Sequence, residues 1–393
     1  MTERSPPVLF SYAFRVFFLM AGIYAVVAVA LWVAAFHGLN WAGAPAVMSP
    51  LWHGHEMVLG FGGAVIAGFL LTAVATWTGR PPLQGPWLIM LAAAWLAGRI
   101  AGTLGGGLPT VWLAIIDLVF PVLLAGLATR EIVLGNSRRN YGVVAVTWAL
   151  VALTGLYHLG GADIVVGGDR VASSLSVHLL SVLITVIGGR VIPLFTANWL
   201  RMRGEARLPV VRPRLDHASI ALVVIAGAAD SLAPGGAMAG ILCVLAGAVN
   251  LWRLAGWRGS LTVANPLLWV LHLAYAALAS GYVLLGATTL GLPLMRSAAL
   301  HLVTVGGISG MILAMTTRVA LGHTGRPLAV TAPLVLAYLL LAAAALLRSL
   351  GTALPGAYLM VIDLSALLWI TAFGLFIWLY APILLGPRAG QEK

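Results

Sequence analysis

The sequence has one cysteine, Cys243, and only 8% charged residues in 393 positions. A single thiol excludes an internal disulfide. It also excludes a thiolate cluster for iron–sulfur or dinuclear copper, and with no C-x-x-C-H the chain cannot attach a c-type haem. Acidic side chains are scarce as well, 11 against 22 basic ones, for a net charge of +11. What fills the space is apolar: 61% of residues are hydrophobic and the mean hydropathy is +1.02. An ordinary soluble protein is excluded by that balance. No segment reads as a cleaved signal peptide, and no loop is long enough for a soluble domain.

A helix needs about 20 apolar residues to cross ~30 Å of hydrocarbon. Twelve segments qualify, over 14–36, 53–77, 86–104, 109–134, 141–161, 173–200, 217–233, 236–256, 265–287, 295–321, 329–349 and 356–385. The expected fold is an all-α integral membrane protein with twelve transmembrane helices in one polytopic domain, 1–393. Period-finding divides it further. His55, His178 and His301 stand at an equal interval of 123 residues, each near the start of its apolar run. At twice that interval T-G-R-P recurs at 78–81 and 324–327, Gly60 matches Gly306, Leu108-Pro109 matches Leu354-Pro355, and Asp117 matches Asp363. The chain therefore reads as three pseudo-repeats of four spans, roughly 1–134, 135–256 and 257–393, with a histidine on spans two, six and ten.

Lys and Arg collect on the cytoplasmic side of membrane proteins. With the N-terminus inside, the inner loops and span ends hold Arg4, Arg80, Arg138, Arg139, the arginines from 201 to 214, Arg326 and Lys393. The outer side keeps Arg170, Arg296 and Arg348. Both termini are expected in the cytoplasm, and in a bacterium the host bilayer is the inner membrane. The positive charge is then a topology signal, and no nucleic-acid partner is expected.

This topology places His53, His55, His178 and His301 in one outer layer. His272 lies deeper, and His323 sits at the inner end of span ten. Neutral imidazole binds haem iron, copper and zinc, and polar side chains inside a bilayer point to function. The bland reading is that each histidine hydrogen-bonds a neighbouring helix; clustering in one layer at matched repeat positions favours ligation. His53 and His55 face about 200° apart on a continuous helix, so they do not share one ion there. Glycines at 60–63, 188–189 and 306–310 follow the repeat histidines and admit either a flat cofactor or close helix packing. Among the charges, Arg99 and Asp117 end at similar heights and form a candidate ion pair. Glu56 and Asp363 are the other groups for pairing or proton transfer. Arg190 and Arg318 are candidates for haem propionates, an anion or the inner interface.

W-H-G-H-E-M-V-L-G-F at 52–61, G-F-L-L-T-A-V-A-T-W-T-G at 68–79, G-G-R-V-I-P-L-F-T at 188–196, N-P-L-L-W-V-L-H-L-A-Y at 265–275 and R-V-A-L-G-H-T-G-R-P at 318–327 resemble the NnrS family over nearly the whole chain. The resemblance implies a twelve-span protein carrying haem and copper, linked to nitric oxide metabolism and nitrosative stress in denitrifying and pathogenic bacteria. It brings His323 into the set of metal candidates through R-V-A-L-G-H. With no attachment motif, the haem is expected to be noncovalent, of b type. Nitric oxide is the expected ligand, the bilayer the surrounding partner, and the electron donor unspecified. The layout also resembles haem–copper oxidases, which carry histidines on spans two, six and ten. The paired histidines early in span seven and the H-x-H of span ten are missing here, so that likeness stays at fold level. Two alternatives stay open on sequence: a redox enzyme related to haem–copper nitric oxide reductases or oxidases, and a transporter or metal carrier.

Overall fold

The computed structural model describes residues 6–39, 49–354 and 356–390; Arg4, Pro355 and Lys393 lie outside them. The described residues form helices and connecting turns, with no strand among them. Among the described residues, twelve helices are long and apolar enough to cross a membrane: α1 Ala13–Phe36, α2 Pro50–Thr78, α3 Pro86–Leu104, α4 Thr110–Leu134, α5 Arg138–Gly161, α6 Gly168–Met202, α7 Pro213–Leu232, α8 Ala237–Ala255, α9 Pro266–Thr289, α10 Arg296–His323, α11 Ala332–Leu350 and α12 Tyr358–Leu385. This is an all-helical membrane protein.

Local chemistry sets the helix ends. Pro50, Pro86, Pro213, Pro266 and Pro333 stand in the first turn of their helices, where the missing N–H costs no hydrogen bond. Ser49 caps α2, its Oγ accepting from Trp52 N at 3.2 Å. Gly79 ends that helix in the left-handed region at φ 68°, a conformation glycine adopts without steric cost. Within the spans, hydroxyls return to their own helix: Thr72 donates to Gly68 O, Thr103 to Arg99 O and Thr185 to Ser181 O. This matters in lipid, where no water is present to satisfy them.

Two of the helices carry a wider turn, at sequence positions 246 residues apart. Residues Glu56–Phe61 of α2 and Leu302–Ser309 of α10 are π-helical, each segment starting directly after a repeat histidine, His55 and His301. The matched glycines Gly60 and Gly306 fall inside them. Such interruptions concentrate at functional sites because they redirect side chains. Around His178 the α6 helix runs on without one.

The chain gathers into two compact units. Unit 1 comprises residues 1–176, 319–327 and 376–393, and unit 2 comprises 177–318 and 328–375. In unit 1, α1 packs on α2, and α4 packs on α2, α3 and α5. Gly68 lets α2 approach α1, since a Cβ there would lie 2.8 Å from the Phe18 ring. The buried Arg15 of α1 caps the C-terminus of α12, its Nη1 donating to Leu384 O at 2.9 Å and Gly386 O at 2.7 Å. A cation at unsatisfied carbonyls is the favourable end of the helix dipole. In unit 2, α8 packs on α7 and α9, and α10 on α9 and α11.

Candidate functional site

Unit 1 buries a charged cluster built from four helices. α2 supplies adjacent His55 and Glu56 at its π-helical turn, α3 supplies Arg99, α4 Asp117, and α5 Tyr157 and His158. His55, Glu56, Arg99 and Asp117 are each at most 5% exposed. Arg99 bridges the carboxylates: Nη1 donates to Glu56 Oε2 at 2.5 Å, and Nη2 to Asp117 Oδ1. Tyr24 of α1 donates its hydroxyl to Glu56 Oε2, and His158 Nε2 donates to Asp117 Oδ2 at 2.9 Å. Small residues make room for these groups. A Cβ on Gly60 would lie 2.6 Å from Arg99 Nη1, one on Gly98 3.0 Å from Asp117 Oδ1, and one on Gly102 3.0 Å from Glu56 Oε1. The matched glycine of the third repeat is spent differently: Gly306 faces Ala277 and Ala345.

His55 has the most informative surroundings. Its ring stacks on Tyr157 with centroids 4.1 Å apart, and Nδ1 donates to Glu56 Oε1 at 3.1 Å. That bond leaves the lone pair on Nε2. Nε2 is buried and has no hydrogen-bond partner, although Asp117 Oδ2 lies only 3.1 Å away. With the ring neutral, two electron-rich atoms face each other at that distance; with the ring protonated, the same pair is a salt bridge. A proton or a cation between them would turn repulsion into attraction. The charge balance agrees: Glu56 and Asp117 against Arg99 leave one negative charge with both imidazoles neutral. Ligand atoms of His55, Asp117 and His158 all lie within 4.8 Å of one another, and two imidazoles with one carboxylate suit copper, zinc or iron.

Unit 2 holds a second histidine–carboxylate cluster with the opposite balance. His178 of α6 accepts from the Tyr282 hydroxyl at Nδ1, 2.7 Å, and donates from Nε2 to Asp230 Oδ2, 3.1 Å. Asp230 is held in turn by Arg296, with Nη1 at 2.8 Å and Nη2 at 2.5 Å. One carboxylate meets one guanidinium, both imidazole nitrogens are engaged, and the cluster is neutral. Nothing here calls for a cation: ligation through His178 requires displacing a partner, as ligation through His158 Nε2 requires giving up its bond to Asp117, but this cluster has no nitrogen like His55 Nε2 without a hydrogen bond.

The chain matches the NnrS protein family over residues 8–388. It belongs to the NnrS family. No curated protein matches the sequence.

For an NnrS protein, the residues singled out from sequence are distributed as follows. His55, Glu56, Arg99 and Asp117 come together in unit 1. His53, two residues away, turns elsewhere and stacks on Trp32 at 5.0 Å. His323 packs against Phe14, centroids 5.5 Å apart. In unit 2, His178 joins Asp230, and His301 donates from Nδ1 to Ser297 O of its own helix at 2.6 Å. His272 shares its Nε2 with Thr196 Oγ1 at 2.9 Å, and its buried Nδ1 has no hydrogen-bond partner. Arg318 lies over the Phe195 ring at 3.9 Å, Arg190 lines a cavity, and Asp363 lies on α12. Sequence reading left His158, Tyr157, Tyr24, Asp230 and Tyr282 out of the site. A signal for His158 existed: it stands near the end of α5, and Asp117 near the start of the antiparallel α4, at the same height.

Proposed function

We propose that this NnrS protein handles nitric oxide from within the bacterial inner membrane, both termini in the cytoplasm, through a copper ion held by His55, His158 and Asp117. The observation that carries the reading is the buried Nε2 of His55, aimed at a carboxylate it does not hydrogen-bond, in a cluster one negative charge out of balance. The donor set fits copper. When bound, copper supplies a redox-active centre able to coordinate nitric oxide.

The chain's own residues do the rest. Glu56 accepts from His55 Nδ1 and so fixes the tautomer that leaves Nε2 as the ligating nitrogen, a support common around metal-binding histidines. Tyr157 stacks on the ring and holds its plane. Arg99 neutralises half of the carboxylate charge, and the single negative charge left favours a cation of low charge. Helices α1 to α5 keep the cluster from water, while nitric oxide, which dissolves in lipid, needs no aqueous entrance.

Haem fits the described residues less well. The unit 1 donors are too close together for a porphyrin between them. The apolar groove beside α10, lined in part by Leu302, Gly306 and Gly310, holds only about 80 Å³. The one support for haem here is His301, whose Nδ1 donation to a carbonyl leaves Nε2 as the lone-pair nitrogen. Detergent-purified protein loaded with copper, reduced and titrated anaerobically with nitric oxide tests the reading. The nitric-oxide-dependent absorbance change is expected in wild type and lost in His55→Ala and His158→Ala. Its absence from copper-loaded wild type contradicts the proposal. If b-type haem copurifies and disappears in His301→Ala, His301 is its ligand; full retention excludes His301 from that role.

A further inference from the structure

Unit 2 contains a cavity of about 530 Å³ that shares no residue with the His55, Asp117 and His158 cluster. It opens among the C-terminal half of α6, the connection at 209–211, the start of α7 and the last turn of α8. Its size falls within the range of about 300–1,000 Å³ usual for small-molecule sites. Its walls are of two kinds. Val186, Pro193, Leu194 and Ile220 give it apolar sides, and Arg190, Arg201 and Arg253 make it basic.

The three guanidinium groups are not equivalent. Arg253 is buried and compensated: Nε donates to Asp216 Oδ1 at 2.6 Å, and Nη1 to Thr185 O at 2.8 Å and Tyr275 Oη at 3.0 Å. It lies hard against the backbone of α6 at Gly189, where any Cβ would collide with the guanidinium. Asp216 is thereby used. Arg201 meets only a neutral partner, Asn198 Oδ1 at 3.2 Å. Arg190 has no carboxylate partner among the described residues, yet it stands twelve residues before the end of α6, roughly 18 Å along the helix. An uncompensated charge at that depth is costly unless it meets water or an anion. The positive end of the α7 dipole, at Pro213, adds to the same potential.

We propose that this cavity binds an anionic phospholipid, its phosphate between Arg190 and Arg201 and its chains along the apolar wall. Guanidinium recognises phosphate oxygens in paired hydrogen bonds. The volume and apolar sides exceed what a free inorganic anion needs, which favours the amphiphile. Recognition of this kind would stabilise unit 2 in an anionic bilayer and is independent of the copper reading.

The test uses full-length protein in detergent, with thermal unfolding followed by tryptophan fluorescence and bound lipid read by native mass spectrometry. Phosphatidylglycerol should raise the melting temperature of wild type by several degrees and remain bound, and phosphatidylcholine should do neither. Arg190→Gln/Arg201→Gln should match wild type in phosphatidylcholine and lose the phosphatidylglycerol shift. Arg190→Gln alone, which removes a partnerless exposed side chain and should fold normally, should lose at least half of it. An equal response to both lipids, or a full shift in the double variant, overturns the proposal. A shift reproduced by inorganic phosphate alone overturns the lipid assignment and leaves a free-oxyanion site.

Discussion

Arg99→Met removes the one cation that two buried carboxylates share. Glu56 is 2% and Asp117 5% exposed, and Arg99 itself is 5% exposed, so water cannot replace the lost partner. Removing one member of a buried ion pair typically costs about 3–5 kcal/mol, because the charge left behind stays desolvated. Here the lower half of that range applies. Glu56 keeps Tyr24 and His55, and Asp117 keeps His158. A loss of about 3 kcal/mol shifts the unfolding equilibrium by more than a hundredfold. The assay is reversible unfolding in mixed micelles, in the presence of a chelator so that metal does not contribute. Neutralising the carboxylates as well, in Arg99→Met/Glu56→Gln/Asp117→Asn, should recover most of the loss, since replacing a whole buried charge set is often close to neutral. A single-variant loss below about 1 kcal/mol, or a triple variant less stable than the single, would refute the argument that Arg99 balances the cluster.

Three further outcomes follow from the same geometry. Gly60→Ala should destabilise by about 1–3 kcal/mol through overpacking against Arg99 and Glu56, whereas Gly126→Ala, with open space at the Cβ position, should be neutral or stabilising; unfolding in detergent distinguishes them. Tyr282→Phe should cost about 0.5–1.5 kcal/mol, one net hydrogen bond to His178, and leave copper content unchanged; a fall in copper would place the metal in unit 2 instead. Tyr157→Ala should keep His55 in place but loosen its ring, weakening copper retention in a competition titration with a chelator, while Tyr157→Phe should retain the wild-type affinity.

Much of the architecture was legible in the sequence because hydropathy is a local property that the bilayer enforces residue by residue. The twelve apolar runs correspond to the twelve observed helices. Differences lie at polar ends: α6 begins at Gly168 rather than 173, since Asp169 and Arg170 continue the helix beyond the apolar stretch. The 246-residue offset between His55 and His301 also predicts more than it states, because both histidines open a π-helical segment. The π turns themselves were not legible. E-M-V-L-G-F and L-V-T-V-G-G-I-S are as compatible with an α-helix, and the wider turn arises from what packs around them.

The side-chain clusters were harder to read for a different reason. Sequence spacing placed Arg99 near Asp117, since both sit a few residues from a short connection. It also puts His158, near the end of α5, at the height of Asp117, but does not give the contact itself, which depends on how the two helices face each other. Nor could spacing separate His55, with an unsatisfied nitrogen, from His178, with two satisfied ones. The distinction depends on Asp230 and Arg296, which lie 52 and 118 positions beyond His178 and form a neutral pair of their own.

The most direct test of the copper centre is elemental analysis of copper-reconstituted, desalted protein, wild type beside His55→Ala, His158→Ala and His178→Ala. About one copper per chain is expected in wild type and in His178→Ala, and loss of copper in the other two. Copper retained in both His55→Ala and His158→Ala, or no retention by wild type, would contradict it.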